Sequence, residues 1–251
     1  MRKAFAAVWL VTSTITMSLF ALFIALFGAR QETIHRLARL WARMYLAVAG
    51  IKVRVEGLDG IMSPPYVFMC NHQSALDIYA LLAQLPVSFK WIAKRQLFAI
   101  PVIGWTMRKA GYISIDRENA REALKAIEEA SRRIREGTNI IIFPEGTRSA
   151  DGKLLPFKKG GFTLALRATV PIVPIGIHGS SALQPKGSSI PRKKGVIYIE
   201  IGDFMVLEGL DRSQKARVMD DVRASIEALM ARGVSAEATV DGGPAGRRDG
   251  I

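Results

Sequence analysis

The sequence predicts an α/β protein: a mostly parallel central sheet flanked by helices, preceded by an N-terminal helical membrane anchor. Three observations predict it. Short apolar, β-branched runs at Tyr66 to Cys70, Asn139 to Phe143, Ile172 to Ile177 and Val196 to Ile201 alternate with segments of helical period. The runs are apolar at nearly every position instead of every second one, as strands covered on both faces are. Finally, no residue from Ala4 to Ala29 is charged.

At about 1.5 Å per residue that uncharged stretch is long enough to cross a hydrocarbon core of roughly 30 Å. A cleaved signal peptide has a shorter apolar stretch ending at small residues, whereas Phe27 stands just before Ala29. Thr12, Ser13, Thr14, Thr16 and Ser18 interrupt its middle, so a span, a hairpin and a helix lying in the interface all stay open. In the following segment Ile34, Leu37, Trp41, Met44, Tyr45 and Val48 recur at helical spacing, while Glu32, Arg36, Arg39 and Arg43 form a separate polar stripe. The arginine stems suit an apolar surface below lipid phosphates, and Trp41 and Tyr45 suit the headgroup boundary. The plainer alternative is an amphipathic helix packed on the domain. Basic residues flank the apolar run on both sides, which a monotopic or hairpin anchor satisfies; we expect the monotopic form, with residues 1–50 as the anchor.

Lys52 to Val55 reads as the first strand, and Ser74 to Leu85 as a helix after the second. Asn119 opens another helix, with Glu122 three residues on and Gly137 past its end. Asp211 with Gln214 begins a last amphipathic helix that stops before Gly233. Residues 51–232 therefore form one catalytic domain, and 233–251, rich in Gly, Ala and charge, a disordered tail.

The formal net charge of +13 favours anionic partners, and the apolar N-terminus selects a membrane with phosphate-bearing substrates over nucleic acid. The single Cys70 rules out an internal disulfide and fits a reducing, cytosol-facing location.

Directly after the Tyr66 to Cys70 run comes Asn71-His72-Gln73-Ser74-Ala75-Leu76-Asp77. At a strand-to-helix turn this spacing lets the Asp77 carboxylate fold back on the His72 imidazole, which is what a general base requires. The plainer reading is an S-x-x-D helix start with His72 bonded in a turn, and the residues alone leave both open. No G-x-S-x-G elbow is present, and Cys70 ends a buried strand, so a covalent intermediate is disfavoured. His72 suits deprotonation of an acceptor hydroxyl that attacks an activated carbonyl, and a thiolate, with pKa near 8.5, is a fitting leaving group. After the next strand, Glu145-Gly146-Thr147-Arg148 offers a tight turn and a guanidinium fork for phosphate, with Glu145 free to orient Arg148 or bind a hydroxyl. Its plainer reading is a surface turn with a loose ion pair. Arg117, closing Gly111 to Arg117, is either a second phosphate contact or a solvated Asp–Arg turn.

In this order the segments resemble the glycerolipid acyltransferase family, specifically the 1-acylglycerol-3-phosphate acyltransferases of phospholipid synthesis. Its N-H-x-x-x-x-D block is present as Asn71 to Asp77, and its isoleucine-rich run closing in D-R as Gly111 to Arg117, preceded by Lys94 and the Pro101 to Gly104 turn. E-G-T-R stands intact from Glu145 to Arg148, the V-P-I-V-P strand is Val170 to Ile175, and Phe157-Lys158-Lys159-Gly160 also fits. Ser114 stands where the family often has a bulky apolar residue. The resemblance covers about Val53 to Phe204. It implies the glycerolipid acyltransferase fold, with His72 as base, Asp77 as its orienter, and substrate contacts from Glu145, Gly146, Thr147, Arg148, Arg117 and Lys94. It further implies no metal or other cofactor, an acyl thioester on acyl-carrier protein or CoA as donor, and lysophosphatidic acid as acceptor. A bacterial-type inner membrane, with the site toward the cytoplasm and membrane lipids around it, is the expected setting. Rival readings are a related acyltransferase using glycerol 3-phosphate or another lysolipid, a His-Asp lipid hydrolase, and a non-enzymatic lipid-binding module.

Overall fold

A strand that is apolar on both sides must be covered on both faces, and the computed structural model, which describes residues 2–61 and 65–241, meets that demand with helices on either side of a seven-stranded sheet. The strands are β1 (Ile51–Glu56), β2 (Val67–Cys70), β3 (Phe89–Lys94), β4 (Ile113–Ile115), β5 (Asn139–Ile142), β6 (Ile172–His178) and β7 (Gly195–Ile201), in the spatial order β1-β7-β6-β2-β5-β3-β4. Only the β6–β7 pair is antiparallel among these neighbours. On β2 the period of two sends Phe68 and Cys70 into one core cluster and Val67 and Met69 into the other.

The first cluster is closed by α2 (Gln31–Ala49) and α3 (Leu76–Gln84), the second by α6 (Ala120–Arg135), α7 (Lys159–Ala168) and α9 (Lys215–Asp241). The remaining helices are α1 (Arg2–Leu26), α4 (Arg95–Phe98), α5 (Ile103–Lys109) and α8 (Ser180–Leu183). Asn119 caps α6 as its sequence predicts, accepting from the backbone of Arg121 and Glu122, and Asp211 with Gln214 forms a capping box ahead of α9.

The structure adds one strand that the sequence reading did not name and lengthens the last helix. The strand β3 escapes a hydropathy reading because Lys90 and Lys94 break its apolar run; Lys90 is nonetheless buried, its Nζ without a hydrogen-bond partner. The last helix does not stop at Gly233 but continues to Asp241. A Cβ at Gly233 would stand 2.8 Å from the Cβ of His178, so the residue serves close helix–sheet approach instead of a C-cap. Of the tail expected over 233–251, the part up to Asp241 is helical and the rest, 242–251, lies outside the described residues.

One face of α2 packs on the domain: Tyr45, Leu46 and Ala42 lie in the same core as α3 and β1, while Leu40 and Met44 on the helix stay exposed, so packing continues across residue 50. Tyr45 is fully buried between Trp9 and Tyr79, its ring packed and its hydroxyl without a hydrogen-bond partner among the described residues. Arg39 and Arg43 donate to the carbonyls of Leu85 and Ala83, at 2.6 and 3.0 Å, satisfying the C-terminal end of α3. In α1 the hydroxyls that interrupt the apolar run bond back to their own helix, Thr12 to Val8 and Thr14 to Leu10, leaving little polar cost in an apolar setting.

Candidate active site

The parallel strands β2, β5, β3 and β4 are neighbours, and each sends a chemically charged loop from its carboxyl end. At the end of β2, Asn71 extends the ladder with its side chain: Nδ2 donates to the Ile177 carbonyl at 2.8 Å, and Oδ1 accepts from the Ile177 N–H at 2.7 Å. The loop that follows is thereby pinned to the centre of the sheet. Its helix starts at Leu76, later than expected, because Ser74 Oγ accepts from the Leu76 N–H and donates to the Gln184 carbonyl.

Asp77, in the first turn of α3, reaches back over this loop. Its Oδ2 accepts from the backbone N–H of Gln73 at 2.7 Å and of Ser74 at 2.8 Å, and lies 2.9 Å from His72 Nδ1. Two backbone donors in the first turn of α3 fix the direction of the carboxylate. With Nδ1 committed to Asp77, the lone pair of the imidazole is directed from Nε2. The carboxylate is fully buried, while the imidazole keeps 13% of its side chain exposed. Its ring stacks on Phe143 at 3.8 Å and 12°, and Phe143 in turn on Trp91 at 5.6 Å and 18°.

The loop after β5 locks onto the first. Glu145 Oε1 accepts from the His72 N–H at 2.6 Å, and Oε2 from the Leu155 N–H at 2.8 Å. Each oxygen thus accepts from a backbone donor and the residue is buried, so in this structure the carboxylate joins the two loops and makes no contact with Arg148. Burial pushes its carboxyl up from the ordinary value against those two donors. The Ser149 N–H donates to the His72 carbonyl at 2.7 Å, and Gln73 Nε2 to the Gly152 carbonyl at 2.7 Å. Behind the second loop, Arg223 of α9 donates to the carbonyls of Leu155 and Leu154 at 3.0 and 3.2 Å and lies over the Phe157 ring.

Gly146 turns with φ +73°, and Arg117 donates to its carbonyl; a Cβ there would stand 3.1 Å from Arg117 Nη1. Asp116 points elsewhere and pairs with Arg95 at 3.1 Å.

His72, Lys94, Arg117, Gly146, Thr147 and Arg148 all line one cavity of about 820 Å³. Arg148 and Lys94 have no hydrogen-bond or ion-pair partner among the described residues, so their charge is available to an anion. Away from these groups the walls turn apolar: Met17 and Ala21 of α1, Leu37 of α2, Leu82 of α3 and Met107 of α5. Asp77 and Glu145 stand behind the cavity, not in it.

Cys70, at the end of β2, is fully buried, and burial, with the Asp77 and Glu145 carboxylates adding to it, pushes its thiol well above the ordinary range. Such a thiol is an inert filler. No group of three or more His, Cys, Asp or Glu side chains is set to hold a metal ion among the described residues. Sequence reasoning missed the roles of Asn71, Phe143, Ser149, Trp91 and Arg223; only the first three sit in or beside the motifs that carry the chemistry.

Comparison with known proteins follows the same geometry. The family model described as Acyltransferase matches residues 52–178. The chain is 41% identical over 169 residues to a chloroplastic 1-acyl-sn-glycerol-3-phosphate acyltransferase of Brassica napus, covering 66% of this chain and 48% of that protein. To a 1-acyl-sn-glycerol-3-phosphate acyltransferase of Saccharomyces cerevisiae it is 32% identical over 190 residues, covering 74% and 62%. It thus spans about half the length of the plant relatives it matches. The crystal structure of the 1-acyl-sn-glycerophosphate acyltransferase PlsC from Thermotoga maritima superposes with a TM-score of 0.74 at 27% identity, over 92% of this chain and 98% of that one. The matched stretch runs from the second residue of β1 to the last of β6 and takes in all four strand ends around the cavity, and the chain belongs to the acyltransferase family.

Proposed function

We propose that this protein transfers a fatty acyl group from an acyl thioester to the sn-2 hydroxyl of 1-acylglycerol 3-phosphate, giving phosphatidic acid. The observation that carries the reading is one cavity lined at once by a carboxylate-held imidazole and by cations, two of them unpaired. The named activity of the relatives supports it.

In this mechanism His72 Nε2 takes the acceptor's hydroxyl proton as that oxygen attacks the thioester carbonyl. The C–S bond then breaks, and the imidazolium returns the proton to the departing thiolate. Asp77 stabilises the imidazolium between the two transfers, a role worth roughly 10²–10⁴-fold in rate together with the base itself. Arg148, Arg117 and Lys94 hold the acceptor phosphate, and the backbone of Gly146 and Thr147 shapes the turn beside it. The apolar walls take acyl chain. Glu145 acts one layer back, setting the His72 backbone. No resident cofactor enters any step.

Among the described residues one helical stretch, Ala4–Leu26, is long and apolar enough to cross a membrane. We read it as a monotopic anchor, because Trp9 stacks on buried Tyr45 and Trp41 donates to Ser13, so much of one side is committed to the domain. The setting is the cytoplasmic face of a bacterial-type inner membrane.

Purified protein given acyl-CoA or acyl-carrier protein should convert lysophosphatidic acid to phosphatidic acid, in preference to glycerol 3-phosphate and uncharged lysolipids. It should release no free fatty acid when acceptor is omitted. Equal turnover across the acceptor panel would sink the phosphate reading, and acceptor-independent fatty acid release would make the protein a hydrolase.

A further inference from the structure

We propose that the α4–α5 hairpin is a second membrane-inserting element, so that the cavity opens sideways into the bilayer between this hairpin and α1. The proposal rests on the membrane reading above and assigns it a surface in the catalytic domain.

The hairpin is built as a rigid wedge. A Cβ at Gly104 would stand 2.2 Å from the Phe98 carbonyl oxygen, so α5 presses directly on the end of α4, and Arg108 donates to the same carbonyl at 2.9 Å. Phe98 is buried, which fixes the wedge to the domain. Its outer side is apolar and open: Leu97 is 42% exposed, Ile100 41% and Trp105 57%, with Pro101 exposed between them. A soluble face has no use for three large apolar side chains on one short hairpin.

Two features select a lipid surface. The patch continues the apolar face of α1, because Thr106 of α5 donates to the Ser18 carbonyl and Ala110 packs with Ala21; beyond that seam lie exposed Leu19, Phe20 and Phe23. Second, cations rim it: Lys94 on one side, beside an Arg95 that is paired with Asp116, and Lys109 and Arg108 on the other, all exposed at the surface. An apolar tip inside a basic rim, with an indole at its edge, matches an anionic bilayer interface.

The cavity reaches this place. Its walls include Met17 and Ser18 of α1 on one side and Leu97, Ile103 and Met107 of the hairpin region on the other. Acyl chains in a leaflet therefore meet the opening without crossing water.

The single native cysteine is buried, so a Cys introduced at the tip can be labelled alone. Ile100→Cys carrying an environment-sensitive fluorophore should shift to the blue on vesicles of phosphatidylglycerol and phosphatidylcholine, and be quenched by brominated acyl chains. The same dye on Ser189→Cys, an exposed position, should stay in water. A wet label at 100 on vesicle-bound protein, or protein that stays in the supernatant, overturns the proposal. So does a label shielded only when purified acyl-carrier protein is added, which would assign the face to a protein. Ile100→Glu with Trp105→Glu should lower transfer to vesicle-embedded lysophosphatidic acid about tenfold while leaving a water-soluble short-chain acceptor within twofold; equal activity of wild type and variant on vesicles overturns it. Fluorescence reads insertion whether or not the protein transfers acyl groups, so loss of the proposed activity and loss of this insertion are seen separately.

Discussion

Two histidines in this protein each have a carboxylate close by in sequence, and they meet opposite fates. His72 has Asp77 five residues on; His35 has Glu32 three residues back. Asp77 is aimed by two backbone N–H groups and meets the ring at 2.9 Å, while Glu32 spends its oxygens on Ser88 and Arg36. His35 is left with the Tyr112 hydroxyl at 3.3 Å, the edge of Phe89, and an Nε2 that has no partner. Burial first, and then the nearby Lys90 charge, lower its pKa to about 4, so it stays neutral as part of the core. What distinguishes a base from a packed ring is thus how the backbone aims the acid and whether the ring reaches a cavity.

The comparison breaks most visibly at His72. Substituting His72→Ala should cut transfer by roughly 10²–10⁴-fold in a protein that still folds, with some fall in melting temperature because the ring stacks on Phe143 and pairs with buried Asp77. Steady-state kinetics beside a thermal melt checks this, and unchanged turnover would refute the base assignment.

His35 should show the reverse. A folded pKa below the unfolded value means that the unfolded chain binds the proton more readily. The stability it contributes is complete above pH 6.5 and is lost as pH falls toward about 4, on the order of 3 kcal/mol for the whole shift. Thermal melts across that window should therefore fall more steeply for wild type than for His35→Gln, while activity at neutral pH barely differs. Parallel curves would mean that the ring is not held neutral.

Arginines sharpen the same contrast between a group left free at the cavity and one satisfied in the fold. Arg148→Ala should raise the acceptor KM about tenfold or more with little change in kcat, since a charged hydrogen bond to phosphate is worth roughly 1.5–3 kcal/mol. Arg39→Ala should leave KM alone and cost about 1 kcal/mol of stability through the uncapped end of α3. A kcat effect alone from Arg148→Ala would contradict phosphate binding.

These contrasts also mark what the sequence could disclose. Strand runs such as Val67 to Cys70 were legible because burial on both faces leaves no polar alternation, and His72 with Asp77 because five residues span one strand-to-helix turn. The strand β3 was not, since Lys94 belongs to the cavity and Lys90 to a buried corner, and both read as surface. The carbonyl contacts of Arg39 and Arg43 were not legible, because the sequence does not show that the end of α3 lies beside them. Glu145 read as a substrate contact for a similar reason: its partners are backbone N–H groups, which every residue carries and no motif records.

Arg223 is the case that crosses the line between the two classes. It stands outside the cavity, yet it holds the carbonyls of Leu154 and Leu155, whose segment supplies one of two donors to Glu145, which in turn holds the His72 N–H. Removing it loosens one side of that carboxylate and lets the imidazole drift from its working position, and small misplacements of a catalytic group are costly. Arg223→Ala should lower kcat several-fold, toward tenfold, with KM for both substrates nearly unchanged, and Arg223→Lys, able to reach one carbonyl, should restore part of the loss. Assays well below the melting temperature separate positioning from stability. If kcat there matches wild type while only the melt moves, Arg223 braces α9 against the loop and does not position the base.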